Sequence, residues 1–321
     1  GDARAAGFTA LDDGNLERAE TLFRSALKRS PNDGDALGGL GLVELRRERF
    51  AEARDLLQRA SRRGTGSRWA EALQSASFFA DLRAAQADFD AGRVAEAQAT
   101  AERLSRSDNP AAQTATELLA RIYQQQGRYA DAANLYTQAA RASGGAQVGA
   151  LRVSAIRAQA QAEVAAGRPG QAQQLYDRAI SLDPNDPWLR YDYARFLRDQ
   201  RRPMDATTII SPLAQSAAPE SLYAAALFAQ QSGQLGAAET LMARIPEGSR
   251  TEEMNGFVLG LRAEAAVTRA RALGAQGQQQ AALQSLRQIA DTPNLPAAQT
   301  ATIATALFEL GDTQTASVLA Q

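Results

Sequence analysis

Residues 160–194 read AQAEVAAGRPGQAQQLYDRAISLDPNDPWLRYDYA, and the spacing of small and apolar residues along them decides the fold. Ala160 lies seven positions before Gly167; Ala172 follows Gly167 by five, and Tyr176 and Ala179 follow Ala172 by four and seven. Residues at i, i+4 and i+7 share one face of an α-helix, so the segment after Gly167 is expected to be an amphipathic helix. Gly167 supplies the turn, and the small side chain at Ala160 lets the helix before that turn approach closely. Asp183-Pro184-Asn185-Asp186-Pro187-Trp188 then stops one helix and begins the next, with Asp186 as N-cap and Pro187 in the first turn. The small residue returns at Ala194, 34 positions after Ala160.

Working outward, the glycine and the alanine five residues after it recur at Gly14/Ala19, Gly92/Ala97, Gly127/Ala132, Gly233/Ala238, Gly277/Ala282 and Gly311/Ala316. In two further copies Glu48 stands before Ala53 and Arg201 before Ala206, so a residue other than glycine is expected to close the same turn. Phe23 and Ala26, Leu57 and Ala60, Tyr136 and Ala139, and Ile210 and Leu213 repeat the apolar face beyond the alanine. Gly7, Gly41, Ala85, Ala120, Ala226, Ala270 and Ala304 repeat the small residue before the turn. Ser30-Pro31-Asn32-Asp33 is a second stop-and-start signal. Each of these nine units is expected to be a helical hairpin.

The combination of small residue, turn glycine, alanine, large apolar residue, alanine and closing proline resembles the tetratricopeptide repeat, whose period is 34. The resemblance implies an all-α fold, a right-handed superhelical solenoid, with approximate repeats at 1–33, 34–67, 78–111, 113–146, 153–186, 187–220, 219–252, 263–296 and, in part, 297–321. Residues near 61–77, 144–152 and 246–262 exceed the period and are expected to be insertions that bend the array. After Arg62-Arg63-Gly64-Thr65-Gly66, residues Arg68 to Ala91 read as one helix of nearly twice the usual length. Both ends fall inside a repeat, so the chain reads as a piece of a longer array.

The composition narrows the chemistry. A formal net charge of -1 over 321 residues gives no basic excess for nucleic acid. The chain has no histidine and no cysteine, which removes histidine acid–base catalysis, Ser-His-Asp and Cys-His nucleophiles, and the usual zinc sites. Carboxylate pairs such as Asp12/Asp13 and Glu252/Glu253 fall on expected turns or exposed helix faces and read as solvated charge. Gly64-Thr65-Gly66 and Gly144-Gly145 lack a preceding strand and a following Lys-Ser/Thr, so they read as loops and not phosphate cradles. No catalytic residue, cofactor or metal is expected, and no apolar run reaches the roughly 18 to 20 residues of a membrane helix.

Binding on this fold uses the first helix of each repeat, whose exposed residues line the concave surface. In the sixth repeat those residues are Trp188, Tyr191, Arg195 and Arg198, spaced three, four and three apart. Aromatic rings interleaved with guanidinium groups stack sugar rings or peptide side chains, although Trp188 and Tyr191, being rings at helical spacing, also read as core packed against the fifth repeat. Phe79, Leu82, Gln86 and Phe89 form a similar stripe in the third repeat. Lys28, the sole lysine, falls on a second helix, so the carboxylate clamp of cochaperone repeats is not expected.

Two segments carry a closer resemblance. One is Tyr176-Asp177-Arg178-Ala179-Ile180 with Asp183 to Arg190 and Tyr193-Ala194-Arg195. The other is Tyr223-Ala224-Ala225-Ala226-Leu227, then Ile245-Pro246, Arg250-Thr251 and Met254, then Arg269-Ala270-Arg271-Ala272-Leu273. Both resemble the periplasmic repeat region of the bacterial cellulose synthase operon's outer-membrane export subunit. That resemblance implies a non-catalytic periplasmic scaffold linking the synthase to the export channel. Its partners would be other subunits of the complex, with the glucan chain as a further candidate. The parent protein would be held in the outer membrane by a C-terminal β-barrel outside these residues. The competing reading is a general adaptor that binds peptides in the concave groove.

Overall fold

The computed structural model describes residues 2–64 and 66–321; Gly1, and Thr65 in the expected insertion at 61–77, lie outside the described residues. Among the described residues there are eighteen α-helices and no strand. They pair as hairpins: α1 (Ala3–Asp12) with α2 (Leu16–Arg29), α3 (Gly34–Arg46) with α4 (Phe50–Ser61), α5 (Gly66–Asp90) with α6 (Val94–Ser105). Then follow α7 (Ala112–Gln125) with α8 (Tyr129–Ala142), α9 (Gln147–Ala165) with α10 (Pro169–Leu182), and α11 (Pro187–Asp199) with α12 (Pro203–Ala214). The last three are α13 (Pro219–Gln231) with α14 (Leu235–Ala243), α15 (Glu252–Ala275) with α16 (Gln279–Ala290), and α17 (Ala297–Glu309) with α18 (Thr313–Leu319). No described helix is long and apolar enough to cross a membrane.

One turn closes all nine hairpins. Its central residue is left-handed: Gly14, Gly92, Gly127, Gly167, Gly233, Gly277 and Gly311 have φ between 72° and 95°, and Glu48 and Arg201 both have 59°. The N–H of the next residue donates to the carbonyl five positions back, as from Arg49 to Glu44, Arg202 to Leu197 and Gln234 to Ala229, at 2.8–2.9 Å. This is the Schellman closure, which satisfies carbonyls that a helix end leaves open. Asp186 caps α11 as its position predicts, accepting from the N–H groups of Trp188 (2.9 Å) and Leu189 (3.1 Å) with Pro187 at the helix start. Asp33 caps α3 in the same way.

The small residues before each turn admit a large one from the second helix. A Cβ placed on Gly7 or Gly39 would lie 2.7 or 2.3 Å from the Phe23 ring, which is fully buried between them. Gly41 meets Leu57 likewise at 2.7 Å, and Gly38 meets the Trp69 indole at 2.2 Å. Elsewhere alanine suffices: Ala85, Ala120, Ala160, Ala194, Ala226 and Ala270 are completely buried.

The chain divides into two compact units, Gly1–Leu175 and Tyr176–Gln321. In the first, the cores form in sequence, from Leu11, Phe23 and Leu40 through Leu57 and Trp69 to Leu118, Ile122, Tyr136 and Leu151. In the second, Leu222, Met242, Ile245, Met254 and Leu261 make one cluster, and Val267, Leu286, Ile303 and Leu307 another. Tyr136, on α8, is buried; desolvation pushes its phenol up to about 12, and its hydroxyl donates to Gln124 Oε1 at 3.1 Å.

Candidate functional site

The stripe predicted on α11 lies in the second unit, at the start of a ladder of rings that joins three first helices. Trp188 makes an edge contact with Tyr191 (5.7 Å between centroids, 80° between planes) and another with Tyr223 on α13 (5.9 Å, 84°). Tyr223 in turn meets Phe257 on α15 (5.4 Å, 70°). Edge-to-face geometry sets the positive rim of one ring against the negative face of the next, which fixes ring order as well as burying area. The polar tips are tied too: Trp188 Nε1 donates to Glu220 at 2.8 Å, and the Tyr191 hydroxyl accepts from Gln231 Nε2 at 2.7 Å. Burial raises the Tyr223 phenol well above its ordinary range, with the Glu253 carboxylate beside it adding to the shift.

The contacts these aromatics make outside α11 lie on the following hairpin, and not on the fifth repeat as the packing reading had it, because Glu220, Tyr223 and Gln231 of α13 supply their partners. Tyr191 is buried and Trp188 half-buried, and the helix they pack toward is the first helix of the following hairpin. Arg195 is exposed and its guanidinium lies 5.3 Å from the Tyr191 ring centre. Arg198 sits over Phe228 at 5.6 Å and holds Asp199 through Nε and Nη2, while its buried Nη1 has no partner among the described residues.

The second predicted stripe lies in the first unit, on α5. Phe79 is half-buried, stacked on Phe50 at 5.0 Å and edge-on to Phe78 at 5.3 Å. Gln86 accepts from Arg121 on α7 at 2.5 Å and donates to Asp90 at 2.7 Å. The same Arg121 guanidinium approaches Phe89 at 5.9 Å. Phe79 and Gln86 thus join α5 to the hairpins on either side.

A rule not drawn from the sequence emerges from both units: polar side chains bond across roughly one repeat period from one first helix to the next. Arg68 binds Asp35 (2.9 Å), Gln124 binds Gln161 (2.6 Å) and Gln230 binds Glu264 (3.0 Å). Glu220, Tyr223, Gln231 and Phe257 are the site residues that sequence reasoning missed. The signal was available, because Trp188, Tyr223 and Phe257 stand 35 and 34 apart. Phe257 was hidden by assigning 246–262 to an insertion, whereas α15 already begins at Glu252.

Comparison with known proteins fits this geometry. Cellulose synthase operon protein C of Xanthomonas axonopodis pv. citri is 34% identical over 98% of this chain, and that of Pseudomonas fluorescens 30% over 77%. This chain spans only 23% and 22% of those proteins. A solved tetratricopeptide repeat protein of Parabacteroides merdae aligns with 80% of this chain and 98% of its own, at 15% identity and a TM-score of 0.48, too loosely to carry residues across. Models of the tetratricopeptide repeat match residues 4–68, 82–146 and 163–229, more than half of the sequence. With nine identically closed hairpins to match, the chain belongs to the tetratricopeptide repeat family.

Proposed function

We propose that this chain is a non-catalytic scaffold segment of a cellulose-secreting system, working in the periplasm between the synthase and the outer-membrane export channel. The observation that carries the reading is the 34% identity to a cellulose synthase operon protein C along 98% of the chain. On this proposal the parent protein is anchored in the outer membrane by a β-barrel outside these residues. The first helices hold other subunits of the complex, with Trp188, Tyr191, Arg195 and Arg198 in one unit and Phe79, Gln86 and Phe89 in the other as contact residues.

The geometry favours a protein partner over the glucan at these positions. The rings of Trp188 and Tyr191 are engaged with each other and with Tyr223, so the accessible chemistry is the guanidinium of Arg195. Guanidinium forks recognise carboxylates and backbone carbonyls, whereas sugar platforms need an open ring face.

The test is an in-frame deletion of residues 1–321 from the parent protein in a cellulose-producing strain. Loss of secreted cellulose, together with loss of co-purification of the parent with synthase subunits, is expected. Unchanged secretion and assembly would sink the reading. For the choice of partner, a Trp69→Phe background leaves Trp188 as the single tryptophan, and no fluorescence change is expected with cellohexaose.

A further inference from the structure

In the first unit the second helices carry their charges in order along their length. Glu17, Glu52, Glu96 and Asp131 lie in the first turns of α2, α4, α6 and α8, and Lys28 with Arg29, Arg59, Arg103 and Arg141 in the last turns. These helices run in the same direction, each after a first helix that runs the other way, so the acids collect at the hairpin turns and the bases at the opposite edge. Arg62, Arg63 and Arg106 follow α4 and α6 on that basic edge. The edge is continuous from the first hairpin to the second, because Arg63 Nη2 donates to Asn32 in the α2–α3 link at 2.8 Å.

Helix ends alone do not require this arrangement. A base in the last turn complements the helix dipole, yet α10, α12, α14 and α18 end without one, and Arg287 of α16 is paired with Asp312. On the basic edge of the first unit, Arg4 and Arg68 take Asp33 and Asp35, Arg59 takes Asp55, and Arg103 takes Asp81. Lys28, Arg29, Arg62, Arg63, Arg106 and Arg141 are exposed and have no ion pair among the described residues; they outnumber Glu71, Glu102 and Asp108 on the same edge. Positive charge is thus gathered locally in a chain whose formal net charge is -1.

We propose that this edge docks the first unit on a bilayer surface with anionic headgroups, with the acidic hairpin turns directed away from it. Basic groups brought to such a surface act together, each strengthening binding about fivefold, and they need no pocket to do so. The edge has that form. Ser30, Pro31, Asn32 and Gly64 stand among its bases, and none of the exposed large apolar side chains of the described residues lies there. A protein interface is centred on buried aromatic or apolar anchors, which this edge lacks. The segregation of charge also gives the contact one orientation, since a surface that attracts Lys28 and Arg62 repels Asp12, Asp13 and Glu17.

The experiment is co-sedimentation of this chain with phosphatidylcholine vesicles, with and without one-third phosphatidylglycerol. Binding is expected to the anionic vesicles alone, and it should disappear as salt rises from about 50 mM to about 500 mM. K28Q/R29Q/R62Q/R63Q should bind at least about thirtyfold more weakly, whereas R29K/R62K/R63K, which keeps the charge, should bind as the unaltered chain does. S30E/N32E adds carboxylates to the same edge without removing a base and should weaken binding as well. R178Q/R201Q/R262Q/R269Q removes as much charge from exposed positions of the second unit and should leave binding unchanged. No binding, equal binding to neutral vesicles, binding that survives high salt, equal loss in the second-unit variant, loss in the lysine variant, or no effect of S30E/N32E would each overturn the docking surface. Release by inorganic phosphate at matched ionic strength would overturn it too, by showing a site for the free anion. The scaffold reading is untouched by any of these results, because its own test is the deletion in the parent protein.

Discussion

Arg201 shows what a single backbone angle costs. Its φ of 59° is a conformation that glycine adopts freely and that other L-residues occupy at roughly 1–2 kcal/mol. Arg201→Gly should therefore stabilise the chain by about 0.5–1 kcal/mol after the extra entropy of the unfolded glycine is subtracted, read as a higher urea midpoint. Glu48→Gly should gain less, because Glu48 also accepts from Arg83 at 2.9 Å through its side chain. The opposite sign is expected at Gly38, where an added Cβ would meet the Trp69 ring: Gly38→Ala should cost about 1–3 kcal/mol by overpacking. The two non-glycine turns were legible in the sequence, since the apolar face beginning at Ala53 and Ala206 fixes where each turn must fall. The Gly38–Trp69 contact was not, because Trp69 stands where extra residues interrupt the count of 34.

At the scale of the helix, end chemistry and ring contacts do separate work. Asp186→Ala removes two capping bonds at the start of α11 and should lower stability by about 1 kcal/mol in thermal or urea unfolding. Trp188 and Tyr223 sit on different helices in edge contact, so a double-mutant cycle to alanine should return a coupling of about 0.5–1.5 kcal/mol. A coupling near zero would mean that these rings fill space without orienting one another. The cap was readable because Asp-Pro is a local signal; the ring pair is marked only by the repeat-length spacing of Trp188 and Tyr223, since its two members are separated by a whole hairpin. The boundary between the two compact units was equally hidden. It falls between Leu175 and Tyr176, within α10, where the Ala172, Tyr176, Ala179 pattern continues without a break.

For the whole molecule, the ionisable groups that the fold perturbs are moved outward from neutrality. Hydrogen bonds from Arg47 and Arg24 hold the Glu20 carboxyl below its ordinary value, Arg168 does the same for Glu163, and the Gln98 amide for Glu102. The Asp312 cap is lowered by Thr315 and Arg287. A carboxyl depressed in the fold stabilises it fully above the unfolded value, near 4.5 for glutamate, and that contribution is lost as pH falls through the folded value. Stability should accordingly decline below about pH 4.5, and Glu20→Gln should make that decline shallower in urea titrations between pH 3 and 6. Tyr136 works at the other end: its phenol rises from 10.0 to about 12, so its contribution is complete below pH 10 and is lost as pH climbs beyond. Tyr136→Phe should flatten the alkaline limb of the same curve. Between these limits lies a range, from about pH 6 to 9, in which a chain without histidine or cysteine has no side chain of ordinary titration. Across that range no side chain of this chain changes charge at its ordinary value, so an affinity that differs between pH 6 and pH 8 reports a chain terminus or the titration of whatever it has bound.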